Sequence, residues 1–147
     1  MTKKIANVLF IEDSAADIAL TKAFLKRENI KLNIQTIRDG DEAVIYIKDN
    51  KQAVTETDVI FLDFNLPKKN GIEVLKFIKN NNDTKHIPVI MLTGSDAPSD
   101  IERARAFNIV DYIIKPLDYQ KITKVIKDIP TLELQEDGQG KYLYARS

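Results

Sequence analysis

Short apolar runs that end abruptly in a polar residue constrain most strongly how this chain can fold. There are four of them: residues 5–11 are followed by Glu12 and Asp13, residues 59–62 by Asp63, residues 87–92 by Thr93, and residues 110–114 by Lys115. Runs that are apolar at nearly every position are typical of parallel strands buried on both faces of a sheet. Residues 31–37 alternate in polarity and predict a fifth strand.

Segments with the spacing of amphipathic helices separate these strands. Three of them open with the pattern of a helix N-cap, a polar residue followed three positions later by an acid: Ser14 and Asp17, Asp39 and Glu42, Asn70 and Glu73. Further helices are predicted from Pro98 and in the segment that Pro130 closes, whereas residues 49–57 are predicted to be a polar loop. The first helix, residues 14–28, has one apolar face at three- and four-residue spacing: Ala16, Ala19, Leu20, Ala23 and Phe24.

The alternation of strands and helices predicts an α/β fold, because neighbouring parallel strands are joined by right-handed crossovers. We expect a single domain over residues 1–130, with one doubly wound, five-stranded parallel sheet and helices on both faces. In such sheets the functional cleft lies at the carboxyl ends of the strands. Five polar residues should therefore gather at that edge: Glu12, Asp13, Asp63, Thr93 and Lys115.

This combination of residues suits phosphoryl chemistry. Three carboxylates close together repel one another and need a counter-charge, which a hard divalent cation such as Mg²⁺ can supply. Lys115 adds a point positive charge and Thr93 adds a hydroxyl donor. Together they match the dispersed negative charge of a phosphoryl group in transfer, and a carboxylate can itself be the acceptor.

The composition narrows the classes of function. The 22 basic and 22 acidic residues cancel, so there is no global field to attract nucleic acid or an anionic membrane. The absence of cysteine excludes a disulfide scaffold and a thiolate zinc site. No stretch reaches membrane-spanning length without a charge. We therefore predict a cytoplasmic protein that binds neither nucleic acid nor a membrane.

Four blocks of sequence resemble the signature motifs of response-regulator receiver domains of bacterial two-component systems. They are Ile-Glu-Asp at 11–13, Leu-Asp-Phe-Asn-Leu-Pro-Lys-Lys-Asn-Gly at 62–71, Leu-Thr-Gly-Ser at 92–95 and Ile-Lys-Pro at 114–116. Their order and spacing match that family over roughly residues 5–129, which implies the flavodoxin-like receiver fold. The block around Asp63 is most similar to the stand-alone regulators paired with bacterial phytochrome kinases.

The resemblance implies that Asp63 accepts a phosphoryl group from a sensor histidine kinase. The similarity to phytochrome-paired regulators makes a bacteriophytochrome the candidate for that kinase. The protein would then signal through phosphorylation-controlled contacts with a downstream protein, and would not be an enzyme beyond its own phosphorylation and dephosphorylation. The cofactor would be Mg²⁺ or Mn²⁺, held by four groups: Glu12, Asp13, Asp63 and the backbone carbonyl of Asn65.

The same resemblance implies roles around the phosphoryl group itself. Thr93 and Lys115 would bind its oxygens. Tyr112, three residues before Lys115, stands where the family has its switch aromatic, and packing as an ordinary edge-strand aromatic is the alternative. Three auxiliary residues complete the set: Gly94, which leaves the acceptor open to a bulky donor, Ser95, and Pro116, whose preceding peptide bond is expected to be cis.

Three other function classes fit parts of the pattern. A phosphatase or phosphotransferase of the haloacid-dehalogenase kind also phosphorylates a strand-end Asp, but it needs a second Asp where this chain has Asn65. A degenerate receiver that binds partners without phosphorylation would not need the intact set of acids with Thr93 and Lys115. A nucleotide-binding sheet protein would need a glycine-rich loop after the first strand, and none follows here.

Residues 131–147 are predicted to form a tail after the last helix. Two strand-favouring segments flank a turn with Gly138 and Gly140, which favours a hairpin over the alternative of a frayed terminus. A hairpin needs a surface to pack on, and the resemblance to phytochrome-type regulators points to the last helix of this chain or of a second copy. We therefore expect a homodimer through this tail, and an output made by protein contact because the tail is too short for an output domain.

Overall fold

A computed structural model describes residues 3–94 and 98–146 of the chain. The described residues form these elements in order: β1 (Lys3–Ile5), β2 (Asn7–Ile11), α1 (Ala15–Arg27), β3 (Ile30–Lys31), β4 (Asn33–Ile37), α2 (Gly40–Asp49), α3 (Lys51–Thr55), β5 (Val59–Asp63), α4 (Gly71–Asn80), β6 (Val89–Thr93), α5 (Pro98–Arg105), β7 (Asp111–Ile114), α6 (Tyr119–Lys127), β8 (Leu132–Asp137) and β9 (Gly140–Arg146). Across these two ranges, none of the helices combines the length and the apolar character needed to cross a membrane.

Five strands form a parallel sheet in the order β4-β2-β5-β6-β7. The register places Phe10 of β2 between Thr36 of β4 and Phe61 of β5, and the pairing continues through β6 to β7. Within this sheet the chain thus enters at β2, winds outward to β4 and then returns past β2 to the other edge. The predicted doubly wound, five-stranded parallel sheet is confirmed.

Alternate residues of the strands build two hydrophobic cores, one on each face of this sheet. Leu9 of β2 belongs to the core beneath α2 and α4, where Leu75 is fully buried. Phe10, the next residue, belongs to the opposite core, together with Val125 of α6. Because β5 is buried at all of its positions, its final residue, Asp63, is carried to the edge of the sheet on a rigid element.

Side-chain caps determine where four of the helices begin. Oxygen atoms of Ser14, Asp39, Asn70 and Asp118 each accept a hydrogen bond from the backbone N–H three residues further on. Such caps satisfy N–H groups that a helix leaves without an internal partner. They also fix each helix start a few residues beyond the carboxyl end of a strand, which is where the predicted site residues lie.

The predicted apolar face of the first helix was wrong. Four of its five residues are exposed and only the fifth is buried: Ala16, Ala19, Leu20 and Ala23, then Phe24. Leu20 keeps 62% of its surface in solvent. The helix packs instead through Ile18, Phe24 and Leu25. Alanine bears little apolar surface, so spacing based on three alanines was a weak indicator of the buried side.

The predicted polar loop over residues 49–57 was also wrong, since residues 51–55 form the short helix α3. Val54 is the buried residue of this helix and joins the core beneath α2 and α4. Ala53 and Val54 are the only apolar residues at positions 49–57, and two adjacent residues give no helical period in the sequence. The packing of Val54 against the sheet supplies the stabilisation that the local sequence does not indicate.

A second, smaller sheet was not predicted. Its strand β9 pairs with β8 on one side and with β1 and β3 on the other. The apolar run at residues 5–11 is therefore divided at Ala6 between the two sheets. The hairpin of β8 and β9 buries Leu132, Leu143 and Ala145 in the core that also contains Phe10, so residues 131–146 do not extend into solvent as a separate arm.

Candidate functional site

The carboxyl ends of four parallel strands meet at one edge of the sheet, as the topology requires. Glu12 follows β2, Asp63 ends β5, Thr93 ends β6, and Lys115 follows β7. The backbone N–H of Lys115 donates to the carbonyl oxygen of Thr93 over 2.8 Å, which fixes the ends of β6 and β7 beside each other. The structure thus brings together residues separated by about a hundred positions in the chain.

Three carboxyl groups form a compact acidic cluster at this edge. One oxygen from each of Glu12, Asp13 and Asp63 lies within 4.8 Å of the others. Glu12 is completely buried and Asp63 retains 3% of its surface, whereas Asp13 is half-buried. Oxygen ligands at this density are what a hard divalent cation requires.

Lys115 places one ammonium group among these acids. Its Nζ lies 2.6 Å from Glu12 Oε1, 2.9 Å from Asp17 Oδ2 and 3.4 Å from Asp63 Oδ1. The lysine side chain is only 20% exposed, so its contacts with the buried Glu12 and Asp63 are made in a largely desolvated environment. Coulombic interactions are correspondingly stronger there than between surface charges.

Burial and charge shift the ionisation of both Glu12 and Lys115. Burial and the neighbouring Asp63 raise the pKa of Glu12 to about 7, although Lys115 acts in the opposite direction. Burial alone would lower the pKa of Lys115, but the hydrogen bonds to Glu12 and Asp17 and the charge of Asp63 outweigh it and raise that pKa. The site therefore contains a permanent cation beside a carboxyl group that can exchange a proton near neutral pH.

The loop after β5 is held tightly against the acceptor edge. The N–H of Asn65 donates to Asp63 Oδ1 over 3.3 Å, and the N–H of Gly71 donates to the carbonyl oxygen of Phe64 over 2.9 Å. Gly71 lies against the backbone of Asp63 and Phe64 so closely that a Cβ atom would overlap both. Asn65, the predicted carbonyl ligand, is thus on an exposed turn directly beside Asp63.

The remaining predicted residues surround this centre. Thr93 is buried, with 6% of its surface exposed. Among the described residues, a Cβ atom at Gly94 would meet nothing beyond its chain neighbours within 4 Å, so they leave open space there. The peptide bond between Lys115 and Pro116 is cis. Ser95 lies outside the described residues.

Tyr112 lies on β7, away from the acidic cluster. It pairs in register with Met91 of β6 and is partly buried against the core beneath α4. The guanidinium carbon of Arg105 lies 5.3 Å from the centre of its ring, within the range of a cation–π contact. In this structure Tyr112 is therefore an aromatic residue of an edge strand, and its ring contacts the core and Arg105.

Two residues of the site were missed by the sequence analysis. Asp17 was identified only as part of a helix cap, yet its carboxylate reaches Lys115. Arg38, after β4, donates from Nη2 to the backbone carbonyl oxygen of Asp13 over 2.8 Å and braces the loop that carries the acids. Arg38 directly follows a predicted strand, and that position could have indicated that it lies near the site. Nothing in the sequence indicated that its guanidinium group would bind a backbone carbonyl.

Known proteins share both the sequence and this architecture. Residues 8–127 match the family model of the response regulator receiver domain. The response regulator Rcp1 of Synechocystis sp. is 33% identical over 130 residues, which cover 87% of this chain and 88% of Rcp1. A structure of its Mn²⁺-bound form is 31% identical and covers 89% of this chain and 99% of the other, with a TM-score of 0.68.

Two further solved structures are similar over most of their length. The bacteriophytochrome response regulator AtBRR is 28% identical, with a TM-score of 0.78 over 91% of this chain and 99% of its own. The phosphorylated cyanobacterial phytochrome response regulator RcpA is 34% identical, with a TM-score of 0.70 over 83% of this chain and 89% of its own. With the motifs, the sheet order and these matches in agreement, the chain belongs to the response regulator receiver domain family.

Proposed function

We propose that this protein is a cytoplasmic signalling protein in which Asp63 accepts a phosphoryl group from a histidine kinase. The observation that carries the proposal is the meeting of a buried strand-end carboxylate, two further acids and one ammonium group at a single edge of the sheet. The phosphorylated form of RcpA among the similar structures supports it. The protein would relay the event through changed contacts with another protein, and would not turn over a separate substrate.

The proposed transfer joins Asp63 to the phosphorus of a phosphohistidine. A carboxylate oxygen of Asp63 forms the new O–P bond while the P–N bond breaks, and the imidazole nitrogen takes up the electron pair of the broken bond. Lys115, which lies 3.4 Å from Asp63 Oδ1, stabilises the negative charge on the phosphoryl oxygens, and Thr93 donates its hydroxyl to one of them. The open space at Gly94 admits the imidazole donor.

The acidic cluster fits a divalent cation, Mg²⁺ or Mn²⁺. Asp13 and Asp63 would bind it directly, Glu12 through water, and the backbone carbonyl of Asn65 would complete the protein ligands. The bound cation would neutralise charge on the phosphoryl oxygens. The close set of three carboxylates supports this assignment, and so does the Mn²⁺-bound structure of Rcp1.

Labelling with radioactive phosphoryl tests the acceptor. Acetyl phosphate serves as a kinase-independent donor and a phosphorylated bacteriophytochrome kinase as the proposed natural one, each with and without Mg²⁺. We expect base-labile labelling that needs the cation and is abolished in Asp63→Asn, while the exposed control Asp128→Asn is labelled like wild type. Unchanged labelling of Asp63→Asn would refute the acceptor, whereas labelling by acetyl phosphate alone would refute only the choice of kinase.

We further propose that two copies pair through the hairpin, with β8 at the interface. Within the described residues, β8 has a partner strand only on the side of β9. On the side of β9 away from β8, the N–H of Lys141 donates to the carbonyl oxygen of Asn29, and the N–H of Ala6 donates to the carbonyl oxygen of Leu143. Because hydrogen-bonded and non-hydrogen-bonded pairs alternate along an antiparallel ladder, the N–H of Glu136, opposite Lys141, points away from β9. Such an outer edge is a template for pairing with another strand.

Sedimentation of the full chain tests this dimer at high micromolar concentration, with and without beryllofluoride. We expect wild type and Glu136→Ala to sediment as dimers. Glu136→Pro should sediment as a monomer, because it removes the outward N–H without disturbing the bonds to β9. A monomeric wild type under both conditions would rule the dimer out, and a dimeric Glu136→Pro would place the interface elsewhere.

A further inference from the structure

Asp17 is a site residue that the acidic cluster does not include. It lies in the first turn of α1, on the helix and not at a strand end. Its Oδ2 lies 2.9 Å from Lys115 Nζ, which is 0.5 Å closer than Asp63 Oδ1 at 3.4 Å. The Asp17 side chain is 36% exposed, compared with 1% for Glu12 and 4% for Asp63. Asp17 therefore approaches the ammonium group from the solvent side of the cleft.

The contact between Asp17 and Lys115 matters because the ammonium group has as many N–H donors as it has neighbouring carboxylates. A lysine ammonium group has three N–H bonds, and three carboxylates surround it at 2.6, 2.9 and 3.4 Å. Glu12 and Asp63 also belong to the three-acid cluster. Their oxygens would therefore bind a cation, and Asp63 would in addition carry the phosphoryl group. Asp17 is neither a member of this cluster nor the phosphoryl acceptor, so its contact with Lys115 can persist through the reaction.

We propose that Asp17 is a positioning residue that anchors the ammonium group of Lys115 within reach of the phosphoryl group on Asp63, an inference that rests on the proposed function of Asp63. A free lysine side chain loses rotamer entropy when it is fixed. The anchor fixes that side chain before the phosphoryl group arrives. The phosphoryl oxygens then meet a cation that is already in place.

Two substitutions separate an anchor from a competitor. In Asp17→Asn the amide oxygen can still accept a hydrogen bond from Nζ, so an anchor is largely retained. In Asp17→Ala the anchor is lost. If Asp17 instead competed with the phosphoryl group for Lys115, both variants would bind a phosphoryl analogue more tightly than wild type. Glu42→Ala is the matched control, because it removes a first-turn acid from another helix, α2.

The first measurement is the mobility of Lys115 in protein without any phosphoryl group. NMR relaxation of its Cε–H bonds is followed in ¹³C-labelled protein, with the signal assigned from its loss in Lys115→Arg. We expect Cε to be ordered in wild type, Asp17→Asn and Glu42→Ala, and measurably more mobile in Asp17→Ala, where Glu12 and Asp63 alone contact Nζ. An equally ordered Cε in Asp17→Ala would overturn the anchor.

The second measurement is the affinity for beryllofluoride in saturating Mg²⁺, followed by ¹⁹F NMR. We expect Asp17→Ala to bind about tenfold more weakly, and Asp17→Asn to stay within about threefold of wild type. Tighter binding by either variant, an unchanged affinity in Asp17→Ala, or an equal loss in both variants would each overturn the proposal. The affinity of Glu42→Ala should match wild type.

These outcomes are separable from the fate of the proposed function. Mobility of Lys115 is measured before any phosphoryl group is present, so it reports on the anchor even if Asp63 is not the acceptor. Labelling of Asp63→Asn reports on the acceptor even if Asp17 proves unimportant. An amide spectrum like that of wild type shows that each Asp17 variant is folded, and Asp17→Asn, which keeps size and shape, guards against a loss caused by misfolding.

Discussion

Glu12 is the residue whose ionisation is most sensitive to what occupies the cleft. Its pKa is raised from 4.5 to about 7, first by burial and then by Asp63. Between these two values the folded protein holds a proton that the unfolded chain releases, so without a cation the stability of the fold falls as the pH rises through this window. A bound cation reverses the preference, because it stabilises the ionised carboxylate.

Mg²⁺ affinity should therefore depend on pH through Glu12. Below a pKa of about 7, binding must displace the proton, so the affinity should rise with pH by up to about tenfold per unit and level off above that value. Calorimetric titration of wild type from about pH 5.5 to 8.5 measures this slope. In Glu12→Gln the affinity should be lower and nearly independent of pH, and an equal slope in that variant would assign the proton to another group.

Single residues differ in how well the sequence predicts their place. Glu12, Asp63 and Lys115 could be placed because each ends an apolar run, and the ends of parallel strands converge. Asp17 could not, because its contact with Lys115 joins positions 98 residues apart. That contact depends on how far two flexible side chains reach across the sheet edge, which strand order alone does not determine.

At the scale of elements, backbone packing strongly limits the sequence in the turn from β5 into α4. A Cβ atom on Gly71 would meet the carbonyl oxygen of Asp63 and lie 2.8 Å from Phe64 Cα. Both neighbours are backbone atoms, so relief requires a shift of the loop and not a rotation of a side chain. Glycine at this position therefore sets the close approach between the start of α4 and the acceptor residue.

Gly71→Ala should lower both stability and cation binding. We expect a loss of roughly 1–3 kcal/mol in the free energy of unfolding, the usual range for overpacking, measured by urea denaturation. Mg²⁺ affinity should fall as well, because the displaced segment carries Asp63 and the predicted Asn65 ligand. Gly138→Ala is the control, since a Cβ atom there meets nothing within 4 Å. Equal midpoints for the two variants would contradict the packing argument.

Elements with a strong local signal were predictable, and those held by distant partners were not. The caps at Ser14, Asp39 and Asn70 are local, so the sequence indicated where those helices begin. β1 and β3 have three and two residues, too few to show a period, and they exist because β9 supplies their hydrogen bonds. The second sheet therefore depends on pairing between the two ends of the described chain.

At the scale of the whole molecule, the hairpin of β8 and β9 is part of the main fold. Leu132, Leu143 and Ala145 are buried in the same core as Val125 of α6. The N–H of Ala6, just before β2, donates to the carbonyl oxygen of Leu143 over 2.8 Å. A chain cut after Pro130 would expose this face of α6 and leave β1 and β3 without a partner strand. Point substitutions therefore probe the hairpin better than truncation does.

Leu143→Ala should destabilise the whole domain, because Leu143 is 4% exposed and fills the core beneath α6. The expected loss is about 2–5 kcal/mol in the free energy of unfolding, as for other buried leucines. Leu20→Ala is the matched control: the same atoms are removed from a side chain that is 62% exposed, and the change should stay within about 0.5 kcal/mol. Urea denaturation followed by circular dichroism and by NMR signals of β5 should show one shared transition at the lower midpoint. If the β5 signals kept the wild-type midpoint, the hairpin would fold independently of the parallel sheet.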